Sequence, residues 1–177
     1  MTGQNGLLTA GLVIAKLFSC QPMPSTIFSL AAGVKITEHR GIGFLHKDDG
    51  EFNAITKFRG LKSNKASFVR SIMDHWVDGN DRPTWWFHGF NEEEFKRCFV
   101  FKWDEQRVGQ RLYGFKCHPK KLAKGFQLCV LVFYDFKTDK VNYGLLRRIN
   151  QILENLEEVA AISAKYPGYK GVHKWIQ

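Results

Sequence analysis

Residues 125–137, GFQLCVLVFYDFK, decide the fold that this sequence predicts, because they are apolar on both faces of an extended chain. Such a run is typical of a central strand. Two more strand candidates precede it, at 98–103 and 111–118, and the connections at 104–110 and 119–124 are short enough for an antiparallel meander. We therefore expect these three strands side by side in one sheet.

Helical patterns surround the meander. Residues 65–77 carry their apolar side chains on one helix face, and a capping-box pattern starts a short helix at 92–97. Residues 145–156 hold the spacing of an amphipathic helix, and a second helix is expected from about 155 to 165. Residues 54–58 are predicted to form a fourth strand.

The first part of the chain differs from the rest because it is rich in Gly and poorly periodic. It predicts an extension at 1–50, with a short helix at 25–32 and a small hairpin within 34–46. Residues 6–20 are apolar, but no Lys or Arg precedes them and Lys16 interrupts them, so we expect a buried helix or strand rather than a signal peptide. This run is also too short to span a bilayer, which favours a cytoplasmic protein without a membrane partner.

The predicted elements define a fold class and a domain organisation. The class is α+β, with helices packed on one face of an antiparallel four-stranded sheet. We expect the other sheet face to be open for a ligand. The predicted domain covers residues 51–177 and follows the less regular extension at 1–50.

The positive charge of the chain is concentrated between residues 106 and 148. Of the 26 Lys and Arg, ten lie there against two acids, a net +8 out of the formal +9 of the whole chain. A solvated surface normally mixes both signs, because like charges repel more strongly as they approach. One-sided charge on a sheet therefore favours a polyanionic partner, and RNA or DNA is the polyanion that we expect.

Several familiar catalytic motifs are missing from the sequence. There is no P-loop, no G-x-G-x-x-G after a strand, no G-x-S-x-G and no H-E-x-x-H, and no group of carboxylates suits a two-metal nuclease. RNA cleavage by this chain is therefore expected to need no metal and no other cofactor. In such a reaction the ribose 2′-OH attacks the adjacent phosphate, and the protein aligns the two groups and stabilises the developing charge.

This chemistry calls for Lys and Arg around one phosphate and for a His, Tyr or Lys that moves protons. The run RLYGFKCH and the end of the next strand offer the candidate catalytic residues Arg111, Tyr113, Lys116, His118 and Lys137. Alternation places Arg111 and Tyr113 on one face of the strand and Lys116 on the other. Each residue type also has an ordinary structural role, since a Tyr on a strand usually packs and a single Lys is usually solvated.

A second set of residues is expected to contact RNA without reacting. In the loop TWWFHGF at 84–90, Trp85, Trp86 and Phe87 are expected to anchor the core, and the alternative is a platform for base stacking with His88 placed to touch ribose or phosphate. The candidate RNA-binding residues are Lys102, Arg107, Lys120, Lys121, Lys140, Arg147, Arg148, Trp85, Trp86 and His88.

The four cysteines are spread along the chain without a C-x-x-C pair. Cys98 and Cys129 lie inside apolar strand runs, where a thiol behaves as a small apolar group, so we expect reduced, buried or half-buried thiols. A zinc site formed by Cys98, Cys117, His118 and Cys129 is the alternative, although the spacing typical of zinc knuckles is missing.

Three stretches resemble the RelE/HigB-type toxins of toxin–antitoxin systems: RLYGFKCHP, QLCVLVFYDFKTDK and NYGLLRRINQILENLEEVAAI. The likeness covers about residues 52–166 and lies in the order of elements and a few residue types. It implies a small α+β protein that cuts mRNA, usually in the ribosomal A site, without a metal. It also implies an acidic antitoxin partner that neutralises the basic sheet. Its candidate residues are Arg111, Tyr113, Lys116, Lys137 and Lys140.

Two functional hypotheses follow from the sequence. The first is a ribosome-associated endoribonuclease toxin. The alternative is a non-catalytic protein, such as a phage-encoded inhibitor, that uses the same basic face to bind nucleic acid or to occlude a nucleic-acid enzyme. In a third arrangement, the extension at 1–50 covers the sheet as a regulatory segment.

Overall fold

The computed structural model describes residues 26–47, 49–80, 85–117, 127–136 and 140–155. The predicted apolar element at 6–20 and most of the predicted helix at 155–165 lie outside these ranges. The described elements are β1 Thr26–Leu30, β2 Arg40–Lys47, α1 Ala54–Arg59, α2 Ser63–Val77, β3 Phe87–Gly89, β4 Cys98–Glu105, β5 Val108–Cys117, β6 Gln127–Phe136 and α3 Tyr143–Asn155, with a 3₁₀ turn at Glu93–Phe95. None of the helices in these ranges is long and apolar enough to cross a membrane.

The strands form one sheet in the order β1-β2-β6-β5-β4-β3. The predicted meander is confirmed, since β4 pairs with β5 and β5 with β6, both antiparallel. The predicted four-stranded antiparallel sheet is wrong, because β2 lies parallel beside β6 and the described part of the sheet has six strands. The central position of β6 between β2 and β5 explains why it is apolar on both faces.

The N-terminal strands β1 and β2 account for much of the difference between the predicted sheet and the observed one. The predicted helix at 25–32 is wrong, because β1 is a strand that pairs antiparallel with β2. The predicted hairpin within 34–46 is also wrong, since only Arg40–Lys47 is a strand there and its neighbours are β1 and β6. The Phe28 ring packs closely over Gly43 of β2, because a Cβ at this position would lie 2.3 Å from Cε2 of Phe28. Glycines at such positions interrupt the apolar alternation that marks a strand.

Residues 54–58 form the helix α1 instead of the predicted fourth strand. The buried side chains are Ala54, Ile55 and Phe58, which is the spacing of one helix face. The predicted helices at 65–77 and 145–156 are confirmed as α2 and α3, and the one at 92–97 is reduced to the 3₁₀ turn.

Helices cover both faces of the sheet. One core cluster lies under α1 and α2 and includes Phe44, Phe58, Trp76 and Phe101. The other lies under α3 and includes Val100, Tyr113, Phe115, Leu146 and Ile149. The expectation of helices on one face and an open face for ligand is therefore wrong, because α3 fills the second face with apolar side chains.

A bulge in β6 sets the register of β5. Tyr113 pairs with Phe133 and Gly114 with Leu131, so Val132 has no partner on β5. Gly114 is required here, since a Cβ at this position would lie 2.0 Å from the carbonyl oxygen of Val130. The alternation along β5 is preserved, with Tyr113 in the cluster under α3 and Leu112 in the cluster under α1 and α2.

Candidate nucleic-acid interface

Two cations lie directly opposite each other on neighbouring strands, Lys102 on β4 and Arg111 on β5. Lys102 lies two positions after Val100 and Arg111 two positions before Tyr113, and both of these residues belong to the cluster under α3, so the two cations share that face of the sheet. Each side chain is half-buried. Two cations side by side on one face of a sheet form a place where an anion can bind.

Arg111 is held in place by two hydrogen bonds. Its Nη1 donates to the hydroxyl oxygen of Tyr113 at 3.0 Å and to the carbonyl oxygen of Lys140 at 3.2 Å. Asp135 on β6 is the cross-strand partner of Arg111, and its carboxylate accepts a hydrogen bond from Nδ2 of Asn142 at 2.9 Å. The guanidinium is thus oriented by two neutral oxygens.

His88 joins the site from the edge strand β3. Its Nδ1 lies 2.8 Å from the carbonyl oxygen of Gly89, which can only accept, so Nδ1 carries the proton and Nε2 is the basic nitrogen of the neutral ring. Burial lowers the pKa of His88 below its usual value, and the positive charges of Lys102 and Arg111 lower it further. At neutral pH the ring is therefore an unprotonated base beside two cations.

Two neighbouring spaces share lining residues at this site. The inner cavity has a volume of about 50 Å³ and is lined by His88, Phe90, Val100, Lys102, Arg111, Tyr113 and Val141. The tryptophan cleft has a volume of about 470 Å³ and is lined by Trp85, Trp86, Lys102, Trp103, Asp104, Gly109, Gln110 and Arg111. Lys102 and Arg111 line both spaces. The cleft has the size of a small-molecule site, which is sufficient for one nucleotide.

The two tryptophans before β3 lie at the surface, whereas Phe87 is in the core. Trp85 is 88% exposed and Trp86 is 40% exposed, while Phe87 is 1% exposed. Trp86 contacts the ring of Phe68 edge-on, with centroids 5.3 Å apart. The expectation that all three rings anchor the core thus holds for Phe87 alone. An exposed indole beside two cations is the arrangement with which proteins bind single-stranded nucleic acid.

The structure separates other predicted residues from this site. Lys116 lies on the opposite side of β5, with Nζ 5.4 Å from the centroid of the Phe99 ring under α2. Arg148 on α3 covers the ring of Phe133 at 4.5 Å and donates to Glu51 at 3.0 Å, so its charge is already paired. Arg147 is exposed on α3 and Arg107 is exposed at the β4–β5 turn. His118, Lys120, Lys121 and Lys137 lie outside the described residues.

Lys140 enters the site through its backbone, since its carbonyl oxygen binds Arg111. Asp104 also lines the cleft and was missed as a site residue, because the sequence places it in a loop. The structure continues β4 to Glu105, which puts Asp104 two positions after Lys102 on the same strand face. Extending the strand alternation past Trp103 would have revealed it.

The cysteines do not assemble into the alternative zinc site in the described part of the chain. Cys129 belongs to the cluster under α1 and α2, whereas Cys98 and Cys117 belong to the cluster under α3. No group of three His, Cys, Asp or Glu suited to a metal occurs among the described residues, and His118 is not one of them. Burial raises the pKa of the Cys98 thiol to about 12, so it is protonated at neutral pH.

Comparison of the chain with protein-family models, with curated proteins and with solved structures finds no match. The resemblance to the RelE/HigB-type toxins therefore stays a prediction, and function has to be inferred from the site itself.

Proposed function

We propose that the protein binds single-stranded RNA across the inner cavity and the tryptophan cleft and cleaves it by attack of the ribose 2′-OH. The observation that carries this proposal is the neutral His88 imidazole next to the Lys102–Arg111 pair. A general base beside two cations is what this reaction requires, because one group removes a proton while the others stabilise a pentavalent phosphate.

The roles of the side chains follow from their chemistry. Lys102 and Arg111 bind the non-bridging oxygens of the scissile phosphate and stabilise the charge that it gains. Nε2 of His88 accepts the proton of the 2′-OH as the 2′-oxygen bonds to phosphorus. The Tyr113 hydroxyl, whose oxygen already accepts from Arg111, donates its proton to the departing 5′-oxygen. The products are a 2′,3′-cyclic phosphate and a 5′-OH.

The biological substrate that we propose is mRNA on the ribosome, which rests on the sequence resemblance to the RelE/HigB-type toxins. An acidic partner protein is proposed on the same ground. Such a partner would inhibit cleavage by covering the Lys102–Arg111 pair, because acidic side chains compete with phosphate for the same cations.

The direct test is incubation of the purified protein with end-labelled single-stranded RNA in excess EDTA. We expect fragments that end in 2′,3′-cyclic phosphate. No fragments should form from an RNA with 2′-deoxyribose at the cut position. His88→Ala should abolish cleavage, while Arg59→Ala, which removes an exposed Arg from α1 on the other side of the sheet, should leave it unchanged.

Binding without cleavage would identify the alternative function. If wild-type protein retains RNA on a filter but never cuts it, with or without translating ribosomes, the protein is a non-catalytic binder. Loss of retention in Arg111→Ala would then still assign binding to this site. Equal retention by all variants would contradict the site itself.

A further inference from the structure

Asp104 is a carboxylate in the wall of a cationic cleft. It is exposed, and although its backbone oxygen accepts a hydrogen bond from Nζ of Lys65 at 2.8 Å, its carboxylate makes no hydrogen bond or ion pair in the described part of the chain. A carboxylate near a phosphate site weakens phosphate binding. Its presence in this wall therefore calls for a ligand group other than phosphate.

The position of Asp104 relative to the phosphate site matches the length of one nucleotide. Lys102 and Asp104 lie two residues apart on the same face of a strand, which separates their Cα atoms by about 7 Å. Gly109 is the cross-strand partner of Asp104 and carries no side chain, so space is open beside the carboxylate. With a phosphate at Lys102 and Arg111, the base of the same nucleotide reaches Asp104.

The aromatic wall of the cleft supplies the second requirement of a base subsite. Trp85 lies in this wall and is 88% exposed, so one face of its indole is available for stacking. Gln110 also lines the cleft, but its amide is occupied: Nε2 donates to the carbonyl oxygen of Val108 at 3.0 Å, and Oε1 accepts from the Tyr134 hydroxyl at 2.6 Å. Asp104 is therefore the lining side chain that offers hydrogen-bond acceptors to a base.

The chemistry of a carboxylate selects among the bases. An ionised Asp only accepts hydrogen bonds, so it prefers a base edge that presents donors side by side. Guanine presents N1–H and the 2-amino group on its Watson–Crick edge, and a carboxylate can accept from both at once. Adenine and cytosine offer one amino group beside an acceptor, and uracil offers one N–H between two acceptors.

We infer that the tryptophan cleft is a guanine-selective base subsite, in which Trp85 stacks on the base and the Asp104 carboxylate binds its Watson–Crick edge. This inference deepens the proposed function, on which it rests for the placement of the phosphate. It commits the protein to RNA in which a guanine lies next to the bound phosphate.

The experiment is titration of the protein with 3′-GMP, 3′-IMP, 3′-AMP, 3′-CMP and 3′-UMP, followed by tryptophan fluorescence. Inosine lacks only the 2-amino group, so it isolates one of the two hydrogen bonds to Asp104. We expect 3′-GMP to bind about tenfold more tightly than 3′-IMP, because a site built to bind a donor discriminates against a ligand that lacks it.

Three variants assign the effect to its residues. In Asp104→Asn the preference for 3′-GMP over 3′-IMP should fall below about twofold, while Glu38→Gln, which neutralises an exposed acid elsewhere, should keep it. In Trp85→Ala the affinity for all five nucleotides should fall about tenfold, consistent with the loss of a stacking partner. Because Trp85 is 88% exposed, this variant tests the cleft without disturbing the core.

The outcomes separate this inference from the proposed function. Equal affinity for all five nucleotides, or an unchanged guanine preference in Asp104→Asn, would overturn the base subsite even if RNA is cleaved. Guanine-selective binding that depends on Asp104, in a protein that leaves RNA intact, would support the subsite and contradict the nuclease.

Discussion

Arg111 and Lys116 lie on the same strand, five residues apart, and belong to two different environments. Arg111 lies at the cleft, with its guanidinium oriented by Tyr113 and by the backbone of Lys140. Lys116 lies on the other face of β5, where its ammonium group covers the Phe99 ring. Both contribute equally to the net charge of the chain. The difference shows that a charge count identifies a basic strand, whereas strand alternation decides which cations meet a ligand.

The cations on α3 and β2 extend this comparison. Arg148 pairs with Glu51 and packs on Phe133, and Arg40 is buried with Nη1 donating to the carbonyl oxygen of Trp76 at 2.8 Å. These side chains stabilise the fold. Arg148 does so by an ion pair and a cation–π contact, and Arg40 by a hydrogen bond to a carbonyl oxygen at the C-terminus of α2. The site is therefore smaller than the charge imbalance suggests, and it centres on Lys102 and Arg111.

The largest effect is expected from Gly114, which lies between the two compared residues. In Gly114→Ala the new methyl group would collide with the Val130 carbonyl, so β5 and β6 must separate at the bulge. We expect a loss of at least about 3 kcal/mol in the free energy of unfolding. Urea denaturation measures it, and Gly89→Ala is the control, since its nearest atom would be 3.7 Å away. Equal stability of both variants would show that the bulge is not tightly packed.

The second prediction sets the two cations directly against each other. Arg111→Ala should lower kcat/KM for RNA cleavage about 100-fold, because the developing charge on the phosphate loses an oriented donor. Lys116→Ala should change it less than about threefold, since its side chain points to the other face. Steady-state rates on one RNA give both values, and thermal unfolding confirms that both variants are folded. Similar losses in the two variants would contradict the separation of the two faces.

The distinction between these faces could be predicted from the sequence only in part. The meander of β4, β5 and β6 is predictable because its apolar runs are long and its connections short. The pairing of Lys102 with Arg111 is not, because it depends on the turn between β4 and β5. That turn has Gln106 and Arg107 at φ values of 51° and 67°, the conformation that Asn-Gly normally signals. Without that signal, the hairpin loop is predicted too long and the register stays undefined.

The topology also contains features that no local pattern encodes. The parallel contact of β2 with β6 joins residues far apart in the chain, and Gly43 interrupts the apolar alternation of β2. The helix α1 is six residues long, so its apolar residues Ala54, Ile55 and Phe58 resemble a short strand. The position of His88 beside Arg111 depends on the edge strand β3, which is three residues long. Each of these elements is determined by tertiary contacts and not by the local sequence pattern.

The third prediction concerns the effect of the two cations on His88. Its pKa should lie below the usual value of 6.5, since burial and the positive charges both disfavour the protonated ring. Replacing Lys102 by Gln removes one of these charges, so the pKa should rise towards 6.5, whereas Lys116→Gln should leave it unchanged. NMR titration of the ring protons measures this without any assay of activity. A wild-type midpoint above 6.5 would contradict a buried His88 ring beside two cations.

The cleavage rate should follow the same titration. The proposed mechanism uses His88 as the base, so it predicts that kcat/KM falls about tenfold for each pH unit below the pKa and levels off above it. The acid limb should therefore shift to higher pH in Lys102→Gln, in step with the NMR midpoint. A limb that does not follow the midpoint would assign the base to another group.

The smallest expected effect is on the salt dependence of RNA binding. Each phosphate contact to a single strand contributes about −0.7 to the slope of log Kobs against log salt concentration. Lys102→Ala should therefore make the slope less steep by about 0.7, while Lys116→Ala should leave it unchanged. Filter binding between low and moderate salt gives both slopes. If Lys116→Ala reduces the slope as much as Lys102→Ala, RNA contacts both faces of β5 and the interface extends beyond the cleft.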